Sequence, residues 1–275
     1  LCSVKLGTGD DGEQCLAEAR MALPESSRLS LMYNAFAGFS DDPERRRRGV
    51  EEMLAAYAAL EREKRFDAAA MTGAVYYNIG LYFSRTQDVQ KSVGAYRQAL
   101  AYDRAQPNAL FNLAVIYNET GQSEKSIGIL REARLLAPQN AAVHALLAEV
   151  LFTAGSVDAA IVAYQDALDL AKDDAALHTN LGWALYTAER VEEAIEHYLQ
   201  ALCGQSYGVA LFNLGLAYLA QGDIPTSKQV YARAVAEYGP EYGEAIGAVA
   251  DLRALAAHGT FVDAADAMLA MYWPQ

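Results

Sequence analysis

The sequence of 275 residues has few of the residues that stabilise disulfide-rich or β-rich proteins. Its 3 cysteines, Cys2, Cys15 and Cys203, are too few for a disulfide scaffold, although one Cys2–Cys15 bridge is feasible. Only 7 prolines are present and β-branched runs are scarce, which disfavours an all-β or parallel-sheet fold. No apolar stretch reaches the roughly 18 residues that a membrane helix needs, so we expect no transmembrane span.

Positive charge is also scarce. Lys and Arg number 22 against 35 Asp and Glu, which gives a formal net charge of −13. Nucleic acids and anionic membranes attract cationic surfaces, so a chain this acidic is a poor partner for either. We expect no nucleic-acid partner.

Apolar residues, by contrast, are abundant, at 53% of the sequence with 10% aromatic, which excludes wholesale disorder. Much of this share is Ala and Leu, which favours helix. The compartment stays open. No signal peptide is recognisable, which fits a cytoplasmic protein, but Cys2 could be the lipid-carrying residue of a periplasmic bacterial lipoprotein. Against the lipoprotein stands Leu1, where a small residue is usual.

A short string ending in a small residue recurs along the chain. Its clearest copies are Tyr77-Asn78-Ile79-Gly80, Phe111-Asn112-Leu113-Ala114, Thr179-Asn180-Leu181-Gly182 and Phe212-Asn213-Leu214-Gly215, with a weaker copy at Ala145-Leu146-Leu147-Ala148. The small residue falls at 80, 114, 148, 182 and 215, so the period is 34 residues three times and then 33. Such a period is typical of stacked repeats.

Each repeat has the pattern of a helical hairpin. Apolar residues recur at spacings of three and four on both sides of a predicted turn, which indicates two amphipathic helices. The turn residues are Gly121, Gly155 and Gly222, with Gln87 and Glu189 at the equivalent positions. One hairpin cannot bury its apolar stripe alone, so neighbouring hairpins are expected to stack.

The pattern resembles the tetratricopeptide repeat (TPR) family, which implies an all-α fold: a TPR-type α-solenoid that winds as a right-handed superhelix. Five repeats are predicted at 73–106, 107–140, 141–174, 175–207 and 208–241. Weaker signals flank them: an N-terminal arm and capping helix at 1–27, a degenerate hairpin at 28–72, and a C-terminal capping hairpin at 242–275. Within the degenerate hairpin, Arg45–Arg48 is expected to form a solvated face that pairs with Glu51 and Glu52.

The resemblance implies that the first helix of each repeat lines a concave groove, with the sixth residue pointing into it. That residue is Asn78, Asn112, Asn180 and Asn213 in four repeats. An amide side chain complements the N–H and C=O of a peptide bond, so these residues are candidates for holding a partner's backbone. The alternative is that neighbouring helices or water satisfy them.

Aromatic residues on the same predicted face are candidates for anchoring a partner. They are Tyr77, Phe111, Trp183, Phe212, Phe152 and Tyr186. The alternative is that a tightly curled solenoid packs these rings on one another. The basic residues with which some family members grip a terminal carboxylate are absent here.

No arrangement typical of catalysis stands out, and His144 and His178 are expected to be hydrogen-bonded rather than metal-binding. We therefore expect no enzyme, cofactor or metal.

The leading hypothesis is an adaptor that binds an extended or helical peptide segment of a partner protein. One alternative is a self-assembling oligomeric subunit, or a lipoprotein component, of a larger complex such as one of the cell envelope. Its copies would join through the apolar C-terminal segment 262–275. A weaker alternative is a carrier of a small apolar ligand.

Overall fold

The computed structural model describes residues 68–203, 207–257 and 261–273, together with residues 44, 47–49 and 51 of an upstream helix. The predicted N-terminal arm, with Cys2 and Cys15, lies outside the described residues, as does most of the degenerate hairpin. In the upstream helix, Arg47 pairs with Glu44 at 3.1 Å and with Glu51 at 3.4 Å, which confirms the predicted pairing with Glu51. These side chains are exposed, so the pairs contribute little stability.

The chain divides into two compact units, residues 1–136 and 137–275. The first unit contains α1 (Ala68–Arg85), α2 (Val89–Tyr102), α3 (Pro107–Glu119) and α4 (Ser123–Leu136). The second contains α5 (Ala141–Thr153), α6 (Val157–Leu170), α7 (Ala175–Thr187), α8 (Val191–Ala201), α9 (Gly208–Gln221), α10 (Ile224–Tyr238), α11 (Pro240–Ala245), α12 (Ala248–Ala257) and α13 (Val262–Tyr272).

All regular structure in the described ranges is helical, which confirms the predicted all-α fold class. Helices α1 to α10 form five antiparallel hairpins, and within each unit consecutive hairpins pack together. The repeat and domain boundaries themselves stay a prediction.

The five predicted turns share one backbone conformation. Residues Gln87, Gly121, Gly155, Glu189 and Gly222 have φ angles of 59°, 72°, 80°, 62° and 91°. This left-handed region favours glycine, because a Cβ atom there crowds the following carbonyl. Several second helices then begin at a capping side chain. Asp88, for example, accepts a hydrogen bond from the Lys91 N–H at 3.2 Å, and Asp223 accepts one from the Thr226 N–H at 3.1 Å.

A tyrosine ring packed on a glycine joins the two helices of three hairpins. The pairs are Gly80 with Tyr96, Gly182 with Tyr198, and Gly215 with Tyr231. A Cβ atom added at these glycines would lie 2.6, 2.6 and 2.8 Å from the ring, so only glycine permits the contact. Each ring is fully buried. The two other hairpins use Ala114 with Leu130 and Ala148 with Tyr164, at the same positions.

A serine hydroxyl reinforces this junction. Ser92 Oγ donates to the Gly80 carbonyl at 2.9 Å, Ser126 Oγ to the Ala114 carbonyl at 2.8 Å, and Ser227 Oγ to the Gly215 carbonyl at 2.7 Å. These hydroxyls are buried and hydrogen-bonded, so they carry no unsatisfied polar group into the core. The recurring small residues therefore fix how closely the two helices of each hairpin approach.

We expect Gly182→Ala to destabilise the second unit. The new Cβ would overlap the Tyr198 ring, and overpacking of this kind typically costs about 1–3 kcal/mol. Gly94→Ala is the matched control, since a Cβ there meets no atom within 4 Å and alanine is the better helix former by about 0.5–1 kcal/mol. Urea denaturation of both variants measures the two free energies of unfolding.

A second substitution checks the cause. The pair Gly182→Ala with Tyr198→Leu reproduces the Ala114–Leu130 combination of the second repeat, so it should recover part of the stability that Gly182→Ala loses. Equal stability of Gly182→Ala and the unaltered protein would contradict the proposed role of the ring contact.

Candidate functional site

A cleft of about 360 Å³ opens in the second unit, on the face formed by the first helices of its last repeats. It is lined by Thr179, Asn180, Trp183, Val209, Asn213, Ile246, Gly247, Ala250 and Asp251. Helix α7 contributes the first three residues, α9 the next two, and α12 with the segment before it the rest.

Helical spacing explains how these side chains come together. Thr179 and Trp183 lie four residues apart on α7, and Val209 and Asn213 lie four apart on α9, so each pair shares one face of its helix. The third wall begins at Gly247, whose φ of 87° turns the chain between α11 and α12. Asp251 then lies in the first turn of α12.

Asp251 is the one ionisable residue in the lining of this cleft. Burial raises the pKa of its carboxyl above the usual range, because the charged form loses part of its hydration. Within the described part of the chain, no cation and no hydrogen-bond donor reaches this carboxylate. The half-buried Asp251 carboxylate therefore has neither an ion pair nor a hydrogen bond in this part of the chain, although its place in the first turn of α12 puts it near the positive end of the helix dipole.

Three tyrosines lie near this carboxylate. Burial raises the pKa of Tyr186, Tyr198 and Tyr231, and the negative charge of Asp251 raises each further because it opposes formation of a phenolate. The Tyr231 hydroxyl is buried and has no hydrogen-bond partner among the described residues. The Tyr198 hydroxyl is likewise buried without a hydrogen-bond partner among the described residues, although the Asn213 amide is near enough to oppose these larger effects on the pKa of Tyr198. Neutral phenols outside the lining of the cleft thus lie near the Asp251 carboxylate.

An aromatic wall stands on one side of the cleft. The rings of Trp183 and Tyr186 are stacked, with centroids 5.5 Å apart and planes inclined by 19°. Both side chains are half-buried, so part of this surface stays open to a ligand.

The structure brings four of the predicted site residues together here. Asn180, Trp183 and Asn213 line the cleft, and Tyr186 stacks on Trp183. Asn180 is exposed and Asn213 is half-buried. Their roles in binding stay a prediction.

In the first unit the predicted residues contact one another. The Asn112 side chain donates to the Tyr77 hydroxyl at 3.4 Å, and the Tyr77 ring lies 5.9 Å from that of Tyr96. Asn78 and Phe111 are half-buried in this unit, as is Phe152 in the second. The amide of Asn112 therefore has a partner in the neighbouring repeat.

The prediction that Phe212 anchors a partner on the surface of the groove is wrong, because its side chain is fully buried. Its ring lies about 6 Å from the rings of Tyr231, Tyr242 and Trp273, with centroid distances of 6.1, 6.2 and 6.2 Å. The cause is the C-terminal hairpin. Trp273 packs back into the core and its Nε1 donates to the Pro240 carbonyl at 2.8 Å.

Sequence reasoning missed Asp251, Ile246, Gly247 and Ala250. Their positions follow from the short helix α11, which interrupts the period before the last hairpin. Counting forward from the fifth repeat therefore assigns α12 to wrong repeat positions. The available signal was an acidic residue in the otherwise Ala- and Leu-rich first helix of the capping hairpin.

His144 and His178, at the fourth position of their repeats, hydrogen-bond to carbonyls of the loops that precede their helices. His144 Nε2 lies 3.0 Å from the Pro138 carbonyl, and His178 Nε2 lies 2.9 Å from the Lys172 carbonyl. His178 Nδ1 also lies 3.0 Å from His197 Nδ1. The expectation that these histidines are hydrogen-bonded is confirmed. No group of three or more potential metal ligands occurs in the described ranges.

Three family models, all of the tetratricopeptide repeat, match the chain at residues 86–150, 146–208 and 209–239. Together they extend over more than half of the sequence. The helical hairpins define a protein of the TPR class, and the chain belongs to the tetratricopeptide repeat family. Among curated proteins, none matches the sequence significantly.

Several solved structures share the fold. The chain is 24% identical to the MamA protein, with a TM-score of 0.58 over 63% of this chain and 94% of that one. It is 17% identical to PilF of Pseudomonas aeruginosa, with a TM-score of 0.59 over 77% and 93% of the two chains. YrrB, described as a TPR protein with an unusual peptide-binding site, is 18% identical, with a TM-score of 0.56 over 65% and 89%. At these identities the likeness shows the fold alone.

Within the described ranges, no helix combines the length and the apolar character that crossing a membrane requires.

The His178–His197 pair predicts a pH-dependent stability. Burial first, and the neighbouring His178 second, lower the pKa of His197, against smaller opposite effects of Glu196 and Glu193. Folding therefore favours the neutral imidazole. The contribution of the neutral His197 to the free energy of unfolding is fully present above about 6.5, the pKa of histidine in the unfolded chain. It is lost as pH falls through the lower pKa that His197 has in the folded protein.

We expect the melting temperature of the unaltered protein to fall more steeply than that of His197→Gln between about pH 7 and pH 5. Calorimetry across this range measures both profiles. Parallel profiles would contradict a role of His197 in the pH dependence.

Proposed function

We propose that the chain is a non-enzymatic protein-interaction scaffold whose second unit binds a peptide segment of a partner protein. The segment, extended or helical, lies in the cleft formed by α7, α9 and α12. The observation that carries this proposal is the convergence of Asn180, Asn213 and Trp183 on one open cleft. The peptide-binding site described for YrrB, which shares the fold, supports it.

The two amides suit a peptide backbone. Asn180 and Asn213 occupy equivalent positions of successive repeats, and each offers an acceptor and two donors. The Asn180 side chain is exposed and makes no hydrogen bond to the described part of the protein, so its capacity is available to a ligand. Such contacts hold a chain without depending on its side chains.

Trp183 supplies an apolar anchor beside the amides. Its ring is held in place by stacking on Tyr186, so little conformational entropy is lost when a ligand packs on it. Aromatic residues in concave surfaces often carry much of the binding energy of an interface.

The first unit supports the same proposal less strongly. Asn78, Asn112, Tyr77 and Phe111 stay candidates for a second contact region, but Asn112 and Tyr77 already contact each other. Phe152 of the second unit is outside the lining of the cleft.

The alternative functions have less support. In the C-terminal segment, Ala265, Met268 and Trp273 pack into the chain's own core, while Met271 is 64% exposed. Leu269 and Tyr272 are partly buried against the same core, whereas Ala270 and Val262 are exposed like Met271, so only part of the apolar surface that suggested an oligomer contact is open. An apolar ligand in the cleft would remove water from the Asp251 carboxylate without pairing with it. This cost argues against a carrier of small apolar molecules.

We expect the double substitution Asn180→Ala with Asn213→Ala to weaken peptide binding roughly tenfold, because two hydrogen bonds of about 0.5–1.5 kcal/mol each are lost. The probes are peptides selected on the full chain from a random library. Fluorescence anisotropy measures their affinity for the unaltered protein and the variant.

Asn108→Ala is the matched control, since Asn108 is an exposed amide outside the lining of the cleft. It should leave the affinity unchanged, and the melting temperature of every variant checks the fold. If selection yields no binding peptide, or the double variant binds as tightly as the unaltered protein, the proposed function is wrong.

A further inference from the structure

We propose that the cleft takes one cationic side chain of the bound segment, an arginine in preference to a lysine, whose charge pairs with Asp251 while its plane lies against Trp183. This inference rests on the proposed function and names the chemistry of the partner: a basic peptide segment.

The unpaired carboxylate is the first argument. A half-buried charge without a partner is unfavourable, and a cation entering the cleft would compensate it. The same charge repels acidic segments. Since Asp251 is the one ionisable residue in the lining, the cleft itself contains no cation that would compete for it.

The surroundings of Asp251 favour a cation from outside the cleft. The groups whose pKa responds to its charge are Tyr186, Tyr198 and Tyr231, all neutral phenols. The hydroxyls of Tyr198 and Tyr231 are buried and have no hydrogen-bond partner among the described residues, so neither of them donates to the carboxylate. An ion pair formed here would be less screened than one on the surface.

The walls of the cleft suit a guanidinium group. Trp183, whose ring is stacked on Tyr186, presents an aromatic surface to the cleft, and cations are attracted to aromatic faces at distances of up to about 6 Å. The amide oxygens of Asn180 and Asn213 can accept N–H groups that Asp251 does not use. Arginine has five donors in one plane and lysine has a compact ammonium, so arginine satisfies more of these acceptors.

Size and overall charge agree with this occupant. The cleft of about 360 Å³ lies near the lower end of the range for ligand sites, which is enough for one long side chain. The net charge of −13 attracts basic segments over long distances and accelerates their encounter with the chain.

A double-mutant cycle tests the pairing. The library-selected peptides are compared with versions in which each arginine is replaced by citrulline, which has nearly the same shape but no charge. Both versions are measured on the full-length unaltered protein and on Asp251→Asn. At one peptide position we expect citrulline to weaken binding to the unaltered protein about tenfold, and binding to Asp251→Asn little or not at all.

Asp266→Asn is the charge-matched control, because Asp266 is an exposed acid on α13 outside the lining of the cleft. It should retain the tenfold difference between arginine and citrulline. Asp251→Asn should also melt at the same or a higher temperature, since folding no longer confines a charge there. If Asp251→Asn binds the peptide more weakly but does not melt at a lower temperature, Asp251 pairs with the ligand rather than stabilising the fold.

The outcomes are distinguishable. If the selected peptides contain no enriched arginine or lysine, or if Asp251→Asn loses the same factor on citrulline substitution as the unaltered protein, the inference is wrong. The proposed function survives that result if Asn180→Ala with Asn213→Ala still weakens binding. If N-acetyl-arginine amide alone binds as tightly as the peptides, the site takes a small cation and the peptide partner is excluded.

Discussion

The contact between a tyrosine ring and a glycine backbone sets the geometry on which the rest of this protein depends. It fixes the distance between the two helices of a hairpin in three repeats, and a buried serine hydroxyl reinforces two of those same junctions. Because the hairpins are alike, their first helices repeat the same orientation within a unit. The residues at equivalent positions of α7 and α9 therefore meet in one cleft.

The periodic part of the fold could be predicted from the sequence because the constraint is local. A turn in the left-handed region recurs at nearly fixed intervals, as does a small residue followed 16 positions later by a tyrosine or leucine, and each has a steric reason. Even the two departures from glycine, Gln87 and Glu189, keep the left-handed backbone. The same period located Asn180, Asn213 and Trp183.

The residues that the repeat period could not locate depend on the part of the chain that follows the fifth repeat. Helix α11 and Gly247 shift the last hairpin out of register, and this shift brings Asp251 into the cleft. The burial of Phe212 has the same origin, since Trp273 reaches it from a distant part of the chain. Contacts between residues so far apart in sequence leave no periodic signal.

Helix α12 thus contributes residues to the cleft although it lies outside the 34-residue period of the repeats. Its cleft residue Asp251 lies near enough to the junction tyrosines Tyr198 and Tyr231 for its charge to raise the pKa of both, so a change of charge at Asp251 acts on the cleft and on two hairpin junctions together.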